Sequence, residues 1–175
     1  MSTLYVDSIQ PKTTGQAITV ATTNQTGHVL QAIQGGRTSR VTVATTTYTD
    51  VGVSATITPK STASKILVMV TGTLGNANAS NQVGLKLFRN STEIGGGTGA
   101  GDSSKNLFMS IIQEAGSGYA FTGFGQNFLD EPSTTSAITY KLQMAGINGT
   151  GALGGRGDID DIAVPTRLIL MEIGG

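Results

Sequence analysis

The stretch "GGRGDIDD" holds the densest set of reactive side chains, with Asp158, Asp160 and Asp161 clustered beside Arg156. Hard cations such as Ca²⁺ are bound by several carboxylate and carbonyl oxygens, so this cluster is the candidate metal site. Its spacing lacks the glycine and the distal glutamate of an EF-hand loop. A solvated acidic turn, with Arg156 pairing locally, is therefore the expected state, and no metal is required. Arg156, Gly157 and Asp158 also form the tripeptide that integrin ligands display, but nothing else in the chain points to an animal cell as target. His28 is the only histidine. A general base needs an orienting partner and a nucleophile, and no serine stands out among so many hydroxyls. The glycine run "GGGTGAG" lacks the lysine and hydroxyl that follow in a phosphate-binding loop, and no helix follows it. Glycoside cleavage would need two carboxylates facing each other across a cleft. Glu93, Asp102, Glu114, Asp130 and Glu131 fall in predicted turns or strand ends, with no aromatic platform for a sugar. The expectation is a protein that is not an enzyme and takes no cofactor.

The composition agrees with a scaffold. A chain of 175 residues is one domain, or one domain with an appendage. At 38% hydrophobic it can build a core, although only 13% of its residues are charged and the net charge is zero. Hydroxyls and amides must then supply the polar surface. With no basic excess there is no electrostatic footprint for nucleic acid or an anionic membrane. The absence of cysteine excludes disulfides, thiolate metal sites and a cysteine nucleophile. The opening "MSTLYVDSIQPK" does not read as a secretory signal, and the run Ile66 to Val70 is far too short to span a bilayer. The expected product is soluble.

Almost every element that could position these residues has a period of two. "VSATIT", "QVGLKLF" and "AITYKLQM" alternate apolar and polar residues, as half-buried strands do. "KILVMV" and "RLILMEI" are continuous apolar runs, predicted to be strands buried on both faces. Leu142 and Ile169 therefore read alike as core positions, and an aspartate at either is expected to abolish folding. "NLFMSIIQEA" is predicted as a strand, and "LFRNSTEIG" as a hairpin turning at Asn90 and Ser91. Strands at this spacing predict an all-β antiparallel sandwich of jelly-roll type over residues 37–175. Residues 1–36 carry only two short β signals, which include Leu4, Val6, Ile9, Ile18 and Val20. These five are the candidate attachment residues, and Gly35 and Gly36 mark the expected joint. Gly95 to Lys105 and Gly146 to Pro165 are predicted as long loops of the kind that line binding sites. The apolar C-terminal run is too exposed a liability for a sheet edge, so it belongs inside a sheet or at a subunit interface. Leu168, Leu170, Tyr140 and Leu142 are the candidate core or trimer-interface residues.

The succession "GHVLQAIQGG", "TTTYTDVGVSATITPKSTASKILVMV", "LKLFRNSTEIGGG", "ITYKLQMAG" and "RLILMEI" resembles a family of tailed-phage virion proteins of tail-fibre type. The opening "VDSIQPKTTGQAITV" is similar to the stretches that begin many phage fibre proteins. The resemblance implies a C-terminal jelly roll like those of C1q and tumour necrosis factor, assembled as a homotrimer on the exterior of the particle. Its implied partners are further copies of itself, other virion proteins and a bacterial surface receptor. Two roles fit that expectation: a short fibre or adhesin docked by residues 1–36, or a decoration protein that clamps the capsid shell.

Overall fold

Alternation in the sequence becomes alternation in space. In β3 (Thr49–Ile57) the side chains of Val51, Val53, Ala55 and Ile57 are buried, while Ser54 and Thr56 between them are exposed. A strand that follows this pattern needs an apolar layer on one side only, and a second sheet supplies it. The structure is a computed structural model that describes residues 26–77, 82–98, 107–112, 121–147, 149–159 and 161–175. The attachment candidates Leu4, Val6, Ile9, Ile18 and Val20 lie outside the described residues, as does Asp160.

Two antiparallel sheets face each other. The first places β1 (Val29–Arg37), β11 (Thr166–Ile173), β4 (Lys65–Asn76) and β8 (Phe121–Asp130) side by side. At the far end of β4, the short strands β10 (Gly151–Leu153) and β2 (Val41–Val43) continue the sheet where β11 has finished. The second sheet runs β3, β9 (Ile138–Ile147) and β5 (Gln82–Arg89), with β6 (Thr92–Ile94) and β7 (Met109–Ile112) sharing the outer side of β5. The principal strands thus read β1-β11-β4-β8 over β3-β9-β5-β7, a jelly-roll-like order in which the last strand lies between the first and the fourth. The predicted hairpin is present: Arg89 pairs with Thr92, and Asn90 takes a φ of 54° at the turn.

The core forms between the inward faces. Leu85, Leu87, Tyr140, Leu142 and Met144 of the second sheet meet Ile66, Val68, Val70, Leu168 and Leu170 of the first, all fully buried. Tyr140, Leu142, Leu168 and Leu170 are therefore core residues.

Three expectations need correction. "KILVMV" and "RLILMEI" are not buried on both faces: β4 begins with half-buried and buried residues in alternation, and β11 alternates throughout. Both alternating sets are apolar, so the sequence hides the period. Gly35 and Gly36 are not a joint, because β1 pairs with β11 from Val29–Ile173 through Arg37–Thr166. Gly35 is there because β1 crosses close over β3, where a Cβ would collide with the Ser54 carbonyl. The stretch from Gly146 to Pro165 is not one loop either, since it contains β10, and its Gly154 N–H donates to Thr73 O (2.9 Å).

Candidate functional site

The arginine and aspartate of "RGD" turn toward each other rather than outward. Arg156 Nε donates to Asp158 Oδ1 (3.1 Å) and Nη2 to Oδ2 (2.7 Å). The hydrogen bond from Arg156 holds the Asp158 carboxyl below its ordinary value. Gly157 lies on the end of β4, its N–H directed at Asn76 O (3.3 Å), and a Cβ there would collide with the Asn76–Ala77 backbone. A tripeptide laid flat in this way cannot offer both charges to a receptor. Asp161 is exposed, and among the described residues no group of three histidines, cysteines or carboxylates stands together as a metal site. His28 is also exposed, and its carbonyl accepts the Gly174 N–H (2.9 Å).

The other described acids are taken up in ion pairs and locks. Glu93 holds Lys86 Nζ (2.8 Å), whose ammonium sits 4.7 Å from the centre of the Tyr48 ring. Burial, reinforced by Glu93, pushes the Tyr48 phenol up to about 12. Glu131 pairs with Lys65 (2.6 Å) at the surface. Asp130 is buried and accepts from Arg89 Nη1 at both oxygens (2.9 Å each) and from the Tyr140 hydroxyl (2.6 Å). Asp102 and Glu114 lie outside the described residues. No two of the described candidates stand free across a cleft.

Glu172 was invisible as a special residue in "RLILMEI". It points inward from β11 and is fully buried, accepting from Gln31 Nε2 (2.6 Å) and from the Lys60 N–H (2.7 Å). It thereby fastens β1, β11 and the turn before β4. Burial alone would raise its pKa, but the hydrogen bonds led by that from Gln31 outweigh it, and the carboxyl sits below its ordinary value. A group whose folded pKa is depressed adds stability above the unfolded value of roughly 4.3, and that stability is lost as pH falls through the folded value. Thermal melting of the wild type and Glu172→Gln should therefore differ most near neutrality, with the gap narrowing below about pH 4. A gap independent of pH would show that the lock is not ionic.

What the fold brings together, and the sequence did not separate, is an apolar outer face. Leu67 and Met69 of β4 pair with Met171 and Ile169 of β11, and Leu67 pairs on its other side with Leu129 of β8. Directly opposed side chains on one sheet face lie within about 5.5 Å at Cβ, so these five make one continuous patch. Each is half-buried or exposed, with Leu129 at 49%. Val29, at the start of β1, is 56% exposed. The neighbouring Lys65 is already neutralised by Glu131. A signal was present in the doubled apolar pattern of "KILVMV" and "RLILMEI", but only the pairing shows which half faces out.

The class these features define is an antiparallel β-sandwich of jelly-roll-like order with an apolar outer sheet face. No protein-family model matches the chain, and no curated protein does. Among solved structures it is similar to a chain of infectious bursal disease virus, Gt strain, at 10% identity and a TM-score of 0.42 over 98% of this chain and 43% of that one. A chain of the Gx strain is similar at 9% identity and a TM-score of 0.31, covering 86% of this chain and 35% of that one. The protein spans less than half the length of either, and likeness at this level carries no functional argument.

Proposed function

We propose that the chain is a structural protein of a tailed-phage particle, without enzymatic activity. In this reading it is displayed on the exterior as a short homotrimeric fibre or adhesin. The observation that carries the assembly is the patch of Leu67, Met69, Leu129, Ile169 and Met171 on the outward face of β4, β8 and β11. Identical copies packed over that face would remove it from water, and a net charge of zero leaves no overall repulsion to oppose them. The virion setting rests on the sequence segments that resemble phage fibre proteins. Its partners would be its own copies, neighbouring virion components and a bacterial surface receptor. The docked end is the N-terminal segment that precedes the sandwich.

Light scattering on the purified chain tests the assembly. The expected mass at micromolar concentration is three times the 17.9 kDa of one chain, and a monomer mass would overturn it. Labelled protein on intact particles tests the place. Label at the tail is expected, whereas label across the shell would make the chain a capsid decoration protein.

A further inference from the structure

Edge strands invite pairing with other chains, and natural sheets blunt them with charges, prolines or bulges. β8 has none of these before its last residue. Its sequence from Phe121 to Leu129 contains no charged residue and no proline, and it pairs with β4 through ten successive positions without a register shift. Among the described residues its other edge meets no strand. Two glycines on its outward face, Gly123 and Gly125, have no local reason to be glycine. Neither has a positive φ, and a Cβ at either would find no described atom nearer than 3.9 Å. Glycine in a strand without a bend often marks the close approach of another backbone.

We propose that the free edge of β8 accepts an added β-strand donated by residues 1–25 of a second copy of this chain. This deepens the trimeric reading and rests on it. The donor carries a period-two pattern, with Leu4 and Val6 on either side of Tyr5 and Ile18 and Val20 on either side of Thr19, in a stretch with few charges. It also leaves the sandwich at the right place. Gly27 N–H donates to Gly174 O (2.7 Å), Ile173 pairs with Lys65, and Ile66 pairs with Asp130, so the donor emerges at the end of the sheet where β8 finishes. Within one copy, an antiparallel addition would have to begin at that end, run the length of β8 and return beneath the sheet to residue 26. A segment donated by a neighbouring copy needs no such detour, because its exit point is not tied to that end of the recipient sheet.

The chain has no cysteine, so introduced pairs report contacts cleanly. Full-length Val6→Cys/Asn127→Cys and Ile18→Cys/Asn127→Cys proteins are oxidised and run on a denaturing gel without reductant. Asn127 is exposed and faces outward on β8. Covalently linked multimers from at least one pair are the expected result. Bridges confined to single chains would mean the strand is added in its own copy, and multimers from Asn127→Cys alone would mean that β8 edges pair with each other. Either outcome overturns the proposal, as does the absence of any bridge. Hydrogen exchange adds a second readout: in full-length Ile18→Pro/Val20→Pro or Leu4→Pro/Val6→Pro, alternate β8 amides should exchange roughly tenfold faster than in the parent. Unchanged exchange in both variants would also overturn it. Light scattering on the same samples keeps the two ideas apart, since a trimer mass without bridges would sink strand donation and leave the trimer standing.

Discussion

Leu142→Asp is expected to leave no soluble folded chain, whereas Ile169→Asp should fold and remain monomeric. Both side chains sit in strongly apolar strands, and the sequence alone predicts the same loss for each. The structure separates them. Leu142 is fully buried, opposite Leu87 in the second sheet and inside the apolar cluster between the sheets. An unpaired buried carboxylate costs several kcal/mol, comparable with the roughly 5–15 kcal/mol that hold a domain together. Ile169 lies on the outer face between Met69 and Gln34, only half-buried, so a carboxylate there stays in water in the monomer. In an assembly built on that face, up to three such charges would be desolvated near one another. Circular dichroism and light scattering read the two outcomes separately. Loss of folding in Ile169→Asp, or an intact trimer, would place the interface elsewhere.

Asp130→Ala is expected to lower stability by about 3–5 kcal/mol, the cost of removing one partner of a buried pair. Asp130 closes β8, and its oxygens tie that strand to Arg89 of β5 and Tyr140 of β9 in the other sheet. The Tyr140 phenol is pushed well above its ordinary value, first by burial and then by this carboxylate. Without Asp130, the Tyr140 hydroxyl and the Arg89 guanidinium are left in a poorly solvated place without their acceptor. At about 2–4 °C per kcal/mol for a domain of this size, the melting temperature should fall by roughly 6–20 °C. Glu131→Ala, one residue on, removes only a surface pair and should shift stability by no more than about 1 kcal/mol. Equal effects of the two substitutions would mean that the inter-sheet lock contributes nothing beyond an ordinary surface ion pair.

By itself the sequence determined the class of fold. Period-two stretches such as "VSATIT" and "AITYKLQM" can bury an apolar face only as strands, and Asn90 with Ser91 can reverse the chain in a tight hairpin. These are local properties, set by side-chain alternation and backbone conformation within a few residues. It also determined that Arg156 would pair locally, because a guanidinium two residues from Asp158 needs no distant partner. What only the tertiary structure decided depends on pairing between residues far apart in the chain. Which half of "KILVMV" faces out follows from its register with β11 and β8, and a one-residue slip would exchange the two faces. Glu172 does not stand out in the apolar run "RLILMEI" until Gln31 and Lys60 close around it. The glycines at positions 35 and 36 look like a hinge in sequence, yet β1 continues through them because the crossing over β3 leaves no room for a side chain at Gly35. Register and close approach are properties of the assembled sheets, and no local pattern encodes them.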